Sequence, residues 1–245
     1  MAGQSGSFDY YMSLLRYGDL GWSDELLRGL GLTVQISLCA YAVGFCLGLL
    51  GAGAKLSSNI WLKRLADLYT TIIRAVPELL LILLLFYSGT SALKALLIAI
   101  GVPADKVDIS GFAAAVAALG FIYGAYMTEI LRGAIQAVPK GQMEAARAYG
   151  MRPALRFRRI LFPLMLRYAL PGMGNQWLNI TKDSAYITVT GSVVELLSAG
   201  TNAAGGTKEY LFFYSMTACV FLVLTVASML TLAALEKRLN RGMRR

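Results

Sequence analysis

No histidine occurs in the 245 residues, and only 15% of them are charged. Without histidine, the usual zinc ligand sets and the Ser–His and Cys–His pairs of nucleophilic catalysis are excluded. The charge content lies well below the roughly one quarter found in soluble domains. Cysteine is scarce too: Cys39, Cys46 and Cys219 all fall inside apolar runs, and none belongs to a CxxC pair. They read as small apolar side chains buried among helices, not as a disulfide or redox centre. The opening MAGQSGSFDYYMSLLRYGD lacks an early cation leading straight into an apolar core, so a mature N-terminus is expected in place of a cleavable signal.

What the chain has in quantity is apolar surface. Hydrophobic residues make up 57% of it, and the mean hydropathy is +0.58. They form long runs, which points to an all-α polytopic membrane protein, a single domain over residues 1–245. Five segments are expected to cross about 30 Å of hydrocarbon as helices of about 20 residues. They are Leu32–Ala54, Ala66–Ser88, Gly111–Leu131, Tyr168–Thr190 and Tyr210–Leu235. Residues 1–30 read as an amphipathic segment on the outer face, with Phe8, Tyr11, Met12 and Leu15 at helical spacing and Asp9, Arg16 and Asp19 nearby. Gly44, Gly48 and Gly51 in the first run, and Gly120 and Gly124 in the third, permit close helix packing in lipid. No inverted repeat of the kind found in many secondary transporters is visible.

The net charge of +9 is distributed unevenly. Lys55, Lys63 and Arg64 follow the first run. Arg132, Lys140, Arg147, Arg152, Arg156, Arg158, Arg159 and Arg167 follow the third, and Lys237, Arg238, Arg241, Arg244 and Arg245 end the chain. The alternate connections are sparse, with Lys94, Asp105, Lys106 and Asp108 in one and Glu195, Lys208 and Glu209 in the other. This asymmetry predicts an external N-terminus and a cytoplasmic C-terminus. It also accounts for the basic balance without nucleic acid as a partner.

GLLGAGAKLSS, residues 48–58, fails as a phosphate-binding loop: Ala54 separates Gly53 from Lys55, and Leu56 stands where a hydroxyl is needed. No cofactor is expected to bind this chain, and any use of ATP and Mg falls to a partner. The stretch EAARAYGMRPALRFRRILFP, residues 144–163, is the anomaly in so apolar a chain, with five arginines, a glycine and two prolines. Residues 142–149 favour a helix, and Gly150 suits its left-handed end. Pro153 suits the first turn of a second helix, which Pro163 is expected to end. Arg156 and Arg159 share one face of that helix, and Phe157 and Leu161 share another. Residues 140–165 therefore form a cytoplasmic helix–turn–helix, whose apolar anchors within a polar rim suit docking on another protein.

The same stretch resembles the EAA loop of ABC importer permeases. Glu144, Ala145, Ala146, Gly150, Ile160 and Pro163 stand in register with its pattern, and Phe162 replaces the usual Leu. The resemblance implies that these positions are coupling helices that dock on an ATP-binding subunit. TTIIRAVPELLLILLLFY, GFIYGAYMTEILRGAIQAVPKGQMEAARAYG and LPGMGNQWLNITKDSAYITVTG extend the likeness to permeases of polar amino acids. Among these it resembles the subunits serving histidine, lysine/arginine/ornithine and opines. The family implies five helices per subunit, a second permease subunit, identical or homologous, a cytoplasmic ATPase dimer and a periplasmic solute-binding protein. The expected function is ATP-driven alternating access for polar, basic amino acids or opines, in the bacterial inner membrane. The chain itself is then not an enzyme.

Polar residues within the apolar runs are candidates for the substrate pathway. Arg74 and Glu78 are one turn apart around Pro77. Two readings stay open: a self-satisfied pair at a kink, or a charged lining. Gln176, Asn179 and Asp183 recur on one face of the fourth run, which must meet a cavity or another helix. Asp183 suits a cationic substrate, and Lys182 or Arg74 a carboxylate; subunit contacts are the other reading. The family's Lys-Asp-Thr-Ser-Leu is here Lys182, Asp183, Ser184, Ala185 and Tyr186, which leaves the substrate open. Glu129 and Arg132 read as an interfacial ion arrangement. A stand-alone channel or secondary transporter leaves the loop's register unexplained, and an intramembrane enzyme lacks a catalytic cluster.

Overall fold

The glycines of the first apolar run meet those of the third. In the computed structural model, which describes residues 8–18, 21–103 and 108–239, helix α2 (Ser23–Lys55) packs along α6 (Gly111–Ala137) in the most extensive helix contact of the fold. A Cβ added at Gly44 would lie 3.3 Å from the Gly120 carbonyl oxygen. One at Gly48 would sit 2.5 Å from the Met127 Cβ, and one at Gly120 2.6 Å from Val43. The two backbones approach so closely because nothing stands between them, the arrangement small residues allow in lipid. Gly48→Leu is therefore expected to lower the thermal midpoint in detergent, an overpacking cost of about 1–3 kcal/mol. Gly53, on the same helix with open space around its Cα, supplies the control: Gly53→Ala should leave the midpoint unchanged or slightly raised.

All described regular structure is helical. After α1 (Phe8–Leu14) and α2 come α3 (Ile60–Ala75), α4 (Glu78–Leu84), a π-helical turn Leu85–Gly89 and α5 (Thr90–Ala99). Helix α6 leads into α7 (Lys140–Ala148), α8 (Pro153–Arg156), a π-helical turn Phe157–Leu161 and α9 (Phe162–Asp183). A 3-10 segment Ser184–Thr190, α10 (Leu196–Thr207) and α11 (Tyr210–Leu239) complete the chain. One core cluster joins Ile36 and Ala40 of α2, Ile82 and Phe86, Leu119, Ile122 and Tyr123 of α6, and Ile180 and Ile187. A second joins Ala52, Met127, Leu131 and Val138 to Met165 and Ala169 of α9.

Among the described residues, four stretches are long and apolar enough to cross a membrane: Ser23–Lys55, Glu78–Ala99, Gly111–Ala137 and Tyr210–Arg238. The second differs from the predicted Ala66–Ser88. Pro77 forces Val76 into an extended conformation (φ −100°, ψ 141°), so α3 ends at Ala75 and a new helix starts at Glu78. Lys94 consequently lies inside α5 and not in a connecting loop. The predicted fourth crossing, Tyr168–Thr190, corresponds to α9 and the 3-10 segment; its amides and charges keep it out of the strongly apolar set. The stretch 48–58 has no strand before it: Gly48 to Lys55 are the last turns of α2.

The three cysteines are free and exposed on the subunit, contrary to the expectation of burial. Helices α2 and α11 are apolar all round, so periodicity does not mark which face packs inward. Near the N-terminus, α1 folds back on the molecule. The Tyr11 ring stacks on Phe212 at 4.8 Å, and Leu14 packs against the cluster of Ala203, Ala204 and Phe213. Leu15 falls beyond the end of α1, where its carbonyl accepts from the Ser23 hydroxyl at 2.5 Å. Residues 1–7, Asp19, Asp105, Lys106, Arg241, Arg244, Arg245 and the Phe8 side chain lie outside the described residues.

Glu195 ties three elements together from a fully buried position. Its carboxylate accepts from the Leu197 and Ser198 backbone N–H groups at the start of α10, from Thr188 and, at 3.4 Å, from Thr33 of α2. Burial pushes this carboxyl above its usual range, and the donors around it pull the other way. Glu195→Ala is expected to cost about 1–3 kcal/mol in thermal or denaturant unfolding, because it strands these donors.

Candidate functional site

The charged loop folds as a compact hairpin of short helices. Gly150 adopts φ +70°, which a glycine does without strain, and α7 closes there, with Met151 N–H donating to the Ala146 carbonyl at 3.1 Å. Pro153 occupies the first turn of α8, where an N–H is not needed. Pro163, however, does not end the second helix. The chain remains helical from Pro153 to Asp183 because the turn before Pro163 widens, with Phe162 N–H donating to the Phe157 carbonyl five residues back. That wider turn accommodates a proline ring that would strike a carbonyl in a regular helix.

Of the EAA-pattern residues, Ala146 is buried, Ile160 is half-buried, and Glu144, Ala145, Gly150 and Pro163 are exposed. Around them Tyr149 (89% exposed), Leu155 and Phe157 present apolar surface. Glu144 lines an open groove of about 480 Å³ with Gln136, Lys140, Met143, Arg147 and Leu161. Arg147, Arg152, Arg158 and Arg159 are exposed, and the Nε of Arg156 is buried without a hydrogen-bond partner. The base of the hairpin is fixed: Val138 and Met165 belong to one core cluster, against which Leu161 and Phe162 pack.

An ion network sits where α2, α3 and α6 converge. The Lys55 ammonium, only 7% exposed, bridges Asp67 at 2.9 Å and Glu129, and Arg132 reaches the other Glu129 oxygen at 2.9 Å. The interfacial arrangement expected of Glu129 and Arg132 is present, with Lys55 at its centre. Lys55→Met should lower stability by about 1–3 kcal/mol, since Lys55 is enclosed and hydrogen-bonded. Asp67→Asn should cost less than about 1 kcal/mol because Asp67 is half exposed; paired thermal melts read the difference.

Deeper in the bundle, two tyrosines organise the predicted polar residues. Tyr126 donates to Glu78 at 2.8 Å, and Tyr123, almost wholly buried, donates to Asp183 at 2.5 Å. The tyrosine rings are 5.9 Å apart, and the Arg74 guanidinium lies 6.0 Å from the Tyr126 ring centre. Glu78 and Asp183 approach closely enough for their carboxyls to interact. Arg74 and Glu78 form no ion pair with each other; the break at Val76–Pro77 removes the i,i+4 geometry that would have joined them. Lys182, next to Asp183 in the chain, lines a pocket of about 380 Å³ with Ala185, Leu197, Tyr214 and Phe221. Gln176 and Asn179 are half-buried on α9, with no side-chain hydrogen-bond partner among the described residues. The sequence reading overlooked Tyr123 and Tyr126, although two hydroxyls three residues apart in an apolar run were a usable signal.

Comparison with known proteins gives this geometry a context. The chain is 42% identical to the nopaline transport system permease protein NocQ of Agrobacterium fabrum, over 95% of this chain and 98% of the relative. It is 42% identical to the histidine/lysine/arginine/ornithine transport system permease protein HisQ of Salmonella typhimurium, over 92% and 97% of the two chains. The octopine transport system permease protein OccQ of Rhizobium meliloti is 39% identical over 96% of this chain and 98% of its own. The crystal structure of an amino acid ABC transporter with histidines superposes with a TM-score of 0.73 at 31% identity, covering 89% of this chain and 95% of that one. A subunit of the MetNI methionine ABC transporter shares the fold alone, with a TM-score of 0.71 at 19% identity, over 89% and 97% of the two chains. Residues 44–241 match the family model described as the binding-protein-dependent transport system inner membrane component, and the chain belongs to that family of ABC permeases.

Proposed function

We propose that this permease carries polar amino acids with a basic side chain, or opines, inward across the membrane by ATP-driven alternating access. The observation that carries the proposal is the exposed helical hairpin of residues 140–165, joined without a break in helix to α9 and so to Asp183. A cytoplasmic ATPase dimer docks on the hairpin. The exposed Tyr149, Leu155 and Phe157 offer it apolar anchors. ATP binding draws two hairpins together, one from this chain and one from a second, identical or homologous, permease subunit. The pathway then opens toward a periplasmic solute-binding protein, and hydrolysis resets it.

Helix α9 forms the fourth of five crossings, its amides facing the pathway between subunits. The cations after α2, after α6 and at the chain's end support a cytoplasmic C-terminus and a periplasmic N-terminus. Tyr126, Glu78, Tyr123 and Asp183 supply a hydroxyl-and-carboxylate lining suited to a guanidinium or ammonium group. The relatives named for nopaline, octopine and histidine/lysine/arginine/ornithine transport support this substrate class.

Proteoliposomes holding the permease, its ATPase and its binding protein provide the test. Arginine, histidine, lysine and opines are scanned for stimulated ATP hydrolysis and uptake. Stimulation by one of these classes is expected. Equal uptake by the permease without the ATPase would instead establish a channel or secondary transporter.

A further inference from the structure

Between α2, α9 and α11 runs an apolar groove of about 480 Å³, lined by Leu38 and Tyr41, by Leu170 and Trp177, and by residues of α11 from Ala227 to Leu235. The volume lies within the roughly 300–1,000 Å³ of small-molecule pockets. Its polar groups are already engaged. The Trp177 indole N–H donates to the Ser228 hydroxyl at 3.0 Å, and the Tyr41 hydroxyl donates to the Met173 carbonyl at 3.0 Å. The Thr231 hydroxyl donates to the Ala227 carbonyl at 2.8 Å. A polar solute entering this groove would lose water and find few open hydrogen-bonding groups, whereas a hydrocarbon chain would lose nothing.

Beyond the end of the groove nearest the start of α9 and the end of α11, the two helices carry cations one turn further on. Arg167 stands three residues before Leu170, and Arg238 three residues after Leu235, each within about 60° of the lining residue around its helix and about 4.5 Å along it. Neither guanidinium has an ion-pair partner among the described residues. Glu236, the nearest acid in sequence, is two residues from Arg238 and so points from the far side of α11.

We infer that this groove is a binding site for an anionic phospholipid, with an acyl chain along Leu38, Trp177 and Leu232 and the phosphate between Arg167 and Arg238. Charge complementarity selects this occupant. An apolar slot with two unpaired cations one turn beyond one end, on helices that belong in a bilayer, matches a molecule with an apolar tail and an anionic head. The lipid comes from the leaflet that meets the C-terminal end of α11.

The test is native mass spectrometry of the full chain, purified in detergent, delipidated and titrated separately with phosphatidylglycerol and phosphatidylcholine. Tight binding of one phosphatidylglycerol, with phosphatidylcholine weaker by tenfold or more, is expected. Arg167→Gln and Arg238→Gln should each weaken phosphatidylglycerol binding about fivefold, the contribution of one basic residue near an anionic lipid surface. Ala227→Phe, which fills the groove and leaves both cations in place, should also weaken it. Equal affinity for the two lipids, or phosphatidylglycerol binding unchanged in all three variants, overturns the inference. A photo-crosslinker at position 227 supplies a second reading: capture of phosphatidylglycerol supports the site, and capture of another permease copy overturns it by identifying the groove as a subunit contact.

Discussion

Glu144→Arg is expected to reduce ATP-driven uptake about 100-fold while the chain accumulates and melts as the wild type does. Glu144 is the one acid between Arg132 and Arg167, in a segment that carries Arg147, Arg152, Arg156, Arg158 and Arg159. Its side chain is exposed at the rim of the groove of α7, so reversal disturbs no internal contact and should change stability by less than about 0.5 kcal/mol. Docking is another matter. Removing one member of a desolvated charge pair at an interface costs about 2–5 kcal/mol, and placing a like charge there adds to it. A loss of about 2.7 kcal/mol corresponds to about 100-fold. Co-purification of the ATPase and uptake measured on the same preparation report the two consequences together. Equal ATPase recovery and equal uptake for wild type and variant would remove the hairpin from the coupling mechanism. Glu144→Gln, which deletes the charge without reversing it, should fall between them.

Asp183→Asn should produce a comparable loss by a different route. Asparagine keeps an oxygen that can accept the Tyr123 hydroxyl, now 2.5 Å from the carboxylate, so the buried tyrosine stays satisfied and the bundle intact. What disappears is the negative charge beside Glu78. Losing one partner of a desolvated charged contact with a cationic substrate costs about 2–5 kcal/mol, so uptake efficiency should drop about 100-fold or more. Tyr123→Phe provides the contrast: it leaves the charge and removes its hydroxyl partner. Uptake kinetics resolved into KM and maximal rate, together with thermal melts, separate the roles. If Asp183→Asn transports basic amino acids as the wild type does, the cluster is a structural tie between α6 and α9 and not part of the path.

The loop and the long apolar helices were the most legible parts of the chain. Gly150 and Pro153 each answer to a local backbone rule, and each appears in the structure where that rule puts it. The Gly44–Gly48 and Gly120–Gly124 pairs were readable for the same reason, since small residues at turn spacing have a direct steric meaning. Pro163 misled because its effect depends on where the Phe162 N–H finds an acceptor; a five-residue bond keeps the helix going. Pro77 misled in the opposite sense. The apolar run continues through it without a mark, yet the backbone turns there and divides Arg74 from Glu78. The partners of Glu78 and Asp183 arise from contacts 48 and 60 residues away along the chain, to Tyr126 and Tyr123. No local pattern announces such pairings; they exist only once α4, α6 and α9 are packed.

The unbroken helical path through Phe157–Leu161 into α9 gives the molecule a stiff rod. The 22 residues from Phe162 to Asp183 rise about 33 Å, with one internal proline at Pro171. Within the hairpin, α7 meets α8 through the bend at Gly150. A push delivered to the arginine-bearing end is not dissipated in a slack connector. It would arrive at Asp183 as the tilt or rotation of a single shaft. Under the proposed coupling the carboxylate moves with the hairpin, and loosening the rod at Pro171 would change the size of that movement before it changed either end.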